Sequence, residues 1–311
     1  MGDGNALVQR SRFERSNTEL VNALHANLSA SARAAANRAA KPPHSESHSE
    51  IPPYTLWTSK ADDTLFIPSQ RELVTGLVES RDEYDVTVKL FFLPTSNPKA
   101  RKEQVLDALA LVARELRVES FDLFILSVPG IAFDAEDDAD EAGSPYQDED
   151  LNTDLEPILQ TWPALENLHE TGVIKRVGVS ELGTSRLARL LSQIPNLKPA
   201  VNQVNIRDCC VVPKPLSLLA KKEGIELLTH NDCTNILPVG TIRELLGPAP
   251  AGMSVLAEKH DSANPEALVG QIEPQFVVKY TAVIKDRGVI ENKGYFAVAQ
   301  FSSASQCNGA T

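Results

Sequence analysis

Apolar residues recur along this chain at two periods, and the alternation of those periods is the first clue to its fold. Leu20, Val21, Leu24 and Leu28 share one helical face. They predict an amphipathic helix within residues 1–40, capped by Asn17 or Thr18, with Glu19 in its first turn. Residues 41–53 are polar and bounded by prolines, and predict a linker. After Ser69 the helical spacing returns at Leu73, Leu77 and Val78. Residues 86–93 then read as a buried strand. Residues 105–116 read as a helix with Leu106, Leu109, Ala110, Ala113 and Leu116 on one face, and 121–126 as a strand ending at Ser127-Val128-Pro129. Helices are predicted over 155–170, over 184–193 (capped by Thr184 or Ser185) and over 215–222, the last ending at Gly224. Strands are predicted over 173–179, 200–206 and 225–229.

The strands are rich in β-branched residues and almost continuously apolar, as parallel strands covered on both faces must be. Strand and helix alternate through six or seven units over roughly 250 residues, which predicts a TIM-type (β/α)8 barrel, with a doubly wound sheet as the alternative. The division expected is an N-terminal helical extension and linker over 1–53 and a barrel over 54–311, with an acidic insertion at 130–156. In either architecture chemistry sits at the C-terminal ends of the strands.

Composition narrows the function classes. The 311 residues are 42% hydrophobic but only 5% aromatic, so a core exists and is built mostly of Leu, Val, Ile and Ala. The net charge is −12, and eleven acidic residues with no Lys or Arg fall within 130–156. The rest is close to neutral, which argues against nucleic-acid or anionic-membrane partners. The acidic stretch reads as a solvated loop that could steer a basic partner over a screening length of about 8–10 Å. No apolar run reaches the ~18 residues of a membrane span. The N-terminus, with Arg10, Arg12 and Arg15, lacks the apolar region of a secretory signal. Four cysteines in a chain of this length fit a reducing compartment, so a cytoplasmic location is expected. His44 and His48 stand four apart in a Pro- and Ser-rich stretch that opposes a helix, and no metal is expected there.

Four motifs stand in order at or near the predicted strand ends. They are Lys89-Leu90-Phe91, Phe121-Asp122-Leu123-Phe124 with Pro129, the run from Thr171 to Ser180, and Asn202-Gln203-Val204. Their order and spacing resemble the aldo-keto reductases over roughly residues 60–295. That resemblance implies a barrel that reduces carbonyls with NADPH through an Asp, Tyr, Lys and His tetrad. Lys89 matches the Lys. Ser127 stands where the His belongs, the Tyr position falls near Ile67, and Asp62 or Asp63 is the nearest match for the Asp. With Tyr and His absent, the resemblance implies the fold without the reaction. Of the cofactor residues, Ser180 and Gln203 match. Glu181 replaces an Asn, His230 replaces a stacking Tyr, and Lys293 resembles a phosphate-loop Lys whose following Arg has no counterpart. No cofactor is therefore expected, with residual NADP(H) binding at Ser180, Gln203, His230 and Lys293 left open.

A second set of motifs is more specific. Asn202-Gln203-Val204-Asn205 precedes Cys209-Cys210-Val211-Val212-Pro213, then Leu227-Leu228-Thr229-His230-Asn231-Asp232, then Arg287-Gly288-Val289-Ile290 with Lys293-Gly294-Tyr295. Together they resemble the regulatory (modifier) subunits of glutamate–cysteine ligase, most strongly in the C-terminal half. The resemblance implies a non-catalytic barrel that forms a heterodimer with the ligase catalytic subunit, improves glutamate use and relieves feedback inhibition by glutathione. It also implies a disulfide-reinforced contact, for which Cys209, Cys210 and Cys233 are the candidates. Inert buried thiols are the plainer reading of those cysteines, and a zinc site with His230 lacks a fourth ligand. An active NADPH-dependent aldo-keto reductase is the alternative function.

Overall fold

The computed structural model describes residues 15–39, 51–69, 76–133, 148–205, 212–233, 235–258 and 266–303. Its first element is α1 (Arg15–Ala39), which buries Leu20, Leu28, Ala32 and Ala35 along one stripe. The helix starts two residues before Asn17, so neither Asn17 nor Thr18 precedes it as a cap. A small hairpin follows, β1 (Ser59–Ala61) and β2 (Thr64–Phe66).

Five parallel strands then succeed one another, each separated from the next by a helix. They are β3 (Tyr84–Phe92), β4 (Phe121–Ser127), β5 (Ile174–Ser180), β6 (Val201–Val204) and β7 (Glu226–Thr229). The helices between them are α2 (Arg101–Leu116), α3 (Asp148–Glu170), α4 (Thr184–Gln193) and α5 (Lys214–Glu223). Each strand pairs with its successor, which is the repeating unit of a (β/α)8 barrel and the architecture predicted from the sequence. The chain then forms α6 (Thr241–Leu246) and the short β8 (Leu256–Ala257). It ends in two long strands, β9 (Leu268–Ile284) and β10 (Val289–Ser303). β9 lies antiparallel to β3 and β10 antiparallel to β9, giving the order β10-β9-β3-β4-β5-β6-β7.

Alternation along β3 explains how the core divides. Val86, Val88, Leu90 and Phe92 face outward into the main core, where α2 and α3 supply Val105, Leu109, Val112, Leu116, Trp162 and Leu165. Phe91 and Leu93 face inward, into a second core shared with α1, Trp57, Val277 and Met253. Both faces are covered, so the strand needs the apolar run that made it legible. Each such side chain contributes roughly 1.5–3 kcal/mol of transfer free energy. The inward-facing exception is Lys89, which is considered below.

Several local expectations change. The helix expected after Ser69 falls partly on residues outside the described set. Residues 76 and 77 are not helical, and the Leu77 amide instead bonds to the Leu116 carbonyl. α4 is preceded by Gly183, with no side-chain cap from Thr184 or Ser185 at that position. α3 begins at Asp148, before the predicted start, and contains Pro157 and Pro163. Residues 134–147 of the acidic insertion and 41–50 of the linker lie outside the described residues. No helix among the described residues is long and apolar enough to cross a membrane.

Candidate functional site

Lys89 sits mid-strand on the inward face of β3 and is 4% exposed. An ammonium so placed must find partners or lose its charge. Its Nζ donates to Gln203 Oε1 at 2.7 Å, from the end of β6, and to Asp232 Oδ2 at 2.9 Å, from the loop after β7. It also lies 4.9 Å from the centre of the Phe91 ring, a cation–π contact. Antiparallel pairing sets Lys279 of β9 directly opposite Lys89. Lys279 donates to the other carboxylate oxygen, Asp232 Oδ1, at 2.7 Å. One buried carboxylate thus bridges two ammonium groups from neighbouring strands.

The electrostatics follow from that bridge. Burial pushes the Asp232 carboxyl up, but the charges of Lys89 and Lys279 outweigh it and hold the group well below the usual carboxylate range. For Lys89 burial dominates and lowers its pKa, with Asp232 opposing. Burial also lowers that of the more exposed Lys279, but the charge and hydrogen bond of Asp232 reverse the balance and raise it. Asn205 Nδ2 donates to the Asp232 carbonyl at 3.0 Å and fixes the loop that carries the carboxylate.

His230 and Glu181 extend the cluster. His230 Nδ1 accepts from the Asp232 amide at 3.1 Å, which leaves the proton of the neutral ring on Nε2. Nε2 lies 2.5 Å from Glu181 Oε1, within ion-pair distance but too oblique for a formed hydrogen bond. Glu181 Oε2 accepts from the Phe133 amide at 2.9 Å, and the Glu181 backbone has the left-handed φ of 66°. A non-glycine residue held there is over-determined by its surroundings. Ser180 is buried beside it, and its hydroxyl has no hydrogen-bond partner among the described residues.

The structure therefore brings Lys89, Gln203 and His230 into one cluster, with Ser180 at its edge. Ser127 ends β4 opposite Phe91. Ile67 packs against the second core. Asp62 and Asp63 are exposed at the turn between β1 and β2, so neither is the carboxylate that orients Lys89; Asp232 is. Lys293 lies within β10, exposed and 2.9 Å from Glu19 of α1. The phosphate-loop likeness at 287–295 is not carried by the local structure. Gly288, at φ 60°, closes a tight turn, and β-branched residues on both sides favour strands over a loop and helix. Cys233 is buried next to Asp232, whereas Cys209 and Cys210 lie outside the described residues.

Sequence reasoning missed Lys279 and the part played by Asp232. The signal for Lys279 was present, as a lone charge inside the apolar run from Phe276 to Ile284. Among the described residues no cluster of His, Cys, Asp and Glu could hold a metal. Chemically, the cluster holds charge in place. The Lys89 ammonium is committed to Gln203, Asp232 and the Phe91 ring.

Comparison with known proteins agrees with this picture. The chain is 28% identical to the human glutamate–cysteine ligase regulatory subunit over 222 residues, covering 71% of this chain and 68% of that one. It is 27% identical to the putative regulatory subunit of Schizosaccharomyces pombe over 228 residues, covering 71% and 73%. A solved structure of a Bombyx mori aldo-keto reductase in complex with NADP is 23% identical, covers 44% of this chain and 39% of its own, and gives a TM-score of 0.30. The model of the aldo/keto reductase family matches residues 68–232. That match is more than half of the chain and takes in all five parallel strands together with Lys89, Gln203 and Asp232, and the chain belongs to the aldo/keto reductase family.

Proposed function

We propose that the chain is a non-catalytic regulatory subunit of a glutamate–cysteine ligase. It binds the catalytic subunit, improves its use of glutamate and weakens its inhibition by glutathione. The observation that carries this reading is the state of Lys89. It is the one match to the reductase tetrad, and its ammonium is taken up by Asp232, Gln203 and the Phe91 ring, with Ser127 and Ile67 where proton donors would stand. The similarity to regulatory subunits from human and fission yeast supports the same role.

The residues around the cluster do not suit an anionic dinucleotide. A buried Glu181 carboxylate occupies the rim, already engaged by Phe133 and His230. The His230 ring is held at both nitrogens, and Lys293 is neutralised by Glu19 in mid-strand. No NADP(H) binding and no carbonyl reduction are expected.

A regulatory subunit acts by binding the active form of its partner better than the inhibited form. The test is γ-glutamylcysteine synthesis by the catalytic subunit from the same source, titrated with glutathione with and without this chain. A shift of the inhibition curve to higher glutathione, or a lower glutamate requirement, supports the reading. Superimposed curves with no complex in sedimentation overturn it. NADPH-dependent reduction of a model aldehyde by the chain alone would favour the reductase instead.

A further inference from the structure

The sheet stops at β10, a strand of 15 residues where ordinary strands have about 5–6. One side of β10 is hydrogen-bonded to β9. Among the described residues no backbone group pairs with the other side. Native proteins break up such edges with proline, charge or a covering element. Residues 289–302 contain no proline and two charged side chains, and both are engaged within the chain. Glu291 accepts from the Tyr84 hydroxyl and from the Val78 amide, and Lys293 pairs with Glu19.

Irregularities at 290/292 and 298/299 leave seven regular residues, 292–298, as the part a straight strand could follow. Phe296 and Val298 lean on the main core and Tyr295 and Ala297 on the second, and each remains only partly covered. Val289, Ile290 and Phe301 are 54%, 52% and 37% exposed at the two ends. Gly294 leaves a gap in the row. A Cβ there would lie 2.6 Å from the Tyr280 hydroxyl, so the strand can carry no side chain at that point.

An open row of peptide groups with apolar side chains on both flanks has one complementary ligand class, a second backbone in extended conformation. We infer that the β10 edge is a docking site for an extended strand of the catalytic subunit, paired along 292–298. This assignment rests on the proposed regulatory role. The docked strand would place apolar side chains beside Phe296 and Val298 and a bulky one opposite Gly294. A second copy of the chain is the poorer occupant, because each copy carries a net charge of −12 and pairing would bring like charges together. A partner with a neutral or basic surface around its strand meets no such repulsion.

Hydrogen exchange read by mass spectrometry tests the assignment, using the full chain alone and with the catalytic subunit from the same source. In the dilute chain alone, the outward amides of 292–298 should exchange freely. In the complex they should slow by at least about tenfold, while those of β5 stay unchanged. A complex that alters glutathione inhibition yet leaves 292–298 unprotected overturns the docking site and spares the regulatory reading. No complex at all overturns both. Protection that grows with the concentration of the chain alone makes a second copy the occupant. Protection already present in the dilute chain means that its own residues cover the edge. Either of these last two results also overturns the assignment.

Discussion

Replacing Asp232 with Asn removes one charge and almost no volume, and it isolates what the buried bridge contributes. The Asp232 and Lys89 side chains are 4% and 5% exposed, against 28% for Lys279. Asn keeps one carbonyl oxygen for two ammonium groups, and its NH2 group faces whichever is left over. Lys279 can turn toward water; Lys89 cannot. Stranding one member of a buried pair costs about 3–5 kcal/mol, so Asp232→Asn should lose that much, mostly through Lys89. The melting temperature should fall by on the order of 5–10 °C. Lys89→Met in the same background removes the stranded cation and should recover most of the loss, a coupling of about 2 kcal/mol or more. Urea unfolding followed by fluorescence reads both variants, since Trp57 and Trp162 are buried in the native state and report their exposure. A cost below about 1 kcal/mol for Asp232→Asn, or a double variant no more stable than the single, would refute the view of Lys89 as a structural cation.

Acid should weaken the fold in a defined direction. Burial raises the Asp122 carboxyl, but Lys175, the Val86 amide and Arg81 together hold it below its ordinary value, as the two lysines do for Asp232. A depressed folded pKa gives stability that is present above the unfolded value near pH 4 and lost as pH falls through the folded one. Denaturation midpoints should therefore drop steadily below about pH 4, and less steeply in Asp232→Asn. Gly294→Ala should cost about 1–3 kcal/mol by driving a methyl group into the Tyr280 ring, and a melting temperature equal to that of the parent would contradict the packing described. Lys293→Ala breaks only an exposed pair with Glu19 and should change stability by less than about 1 kcal/mol; a larger loss in the same assay would mean that α1 depends on that pair for its seat.

Much of the fold was legible because β3 to β7 and the helices between them obey two strong periods. Val86, Val88 and Leu90 alternate with an inward set, and Leu109, Val112 and Leu116 repeat at helical spacing, so pattern and burial agree. The C-terminal hairpin was not foreseen. The motif Arg287-Gly288-Val289-Ile290 with Lys293 was read as a phosphate loop, although Gly288 flanked by Val283, Ile284, Val289 and Ile290 is equally a hairpin turn. Local sequence could not decide between them. What decides is β3, whose free side offers β9 nine consecutive partners, from Tyr84 opposite Ile284 to Phe92 opposite Phe276. The misplaced caps of α1 and α4 have a similar cause, since helix ends answer to packing as well as to the nearest hydroxyl.

The site was legible by composition and illegible by connection. Lys89, Gln203 and His230 were picked out because they stand at strand ends, and the fold does gather them. The partner that gives Lys89 its role lies 143 residues away in sequence, and the second ammonium on that carboxylate another 47 beyond. No spacing rule links positions so far apart; only the side-by-side placement of β3, β7 and β9 does. An inward lysine on an apolar strand reads from sequence as a remnant of chemistry. With both oxygens of Asp232 shared between two strands, the same lysine fastens the antiparallel hairpin to the parallel sheet. The cation in that position is then kept by the cost of leaving either partner unpaired, and the fold can retain it without any reaction to perform.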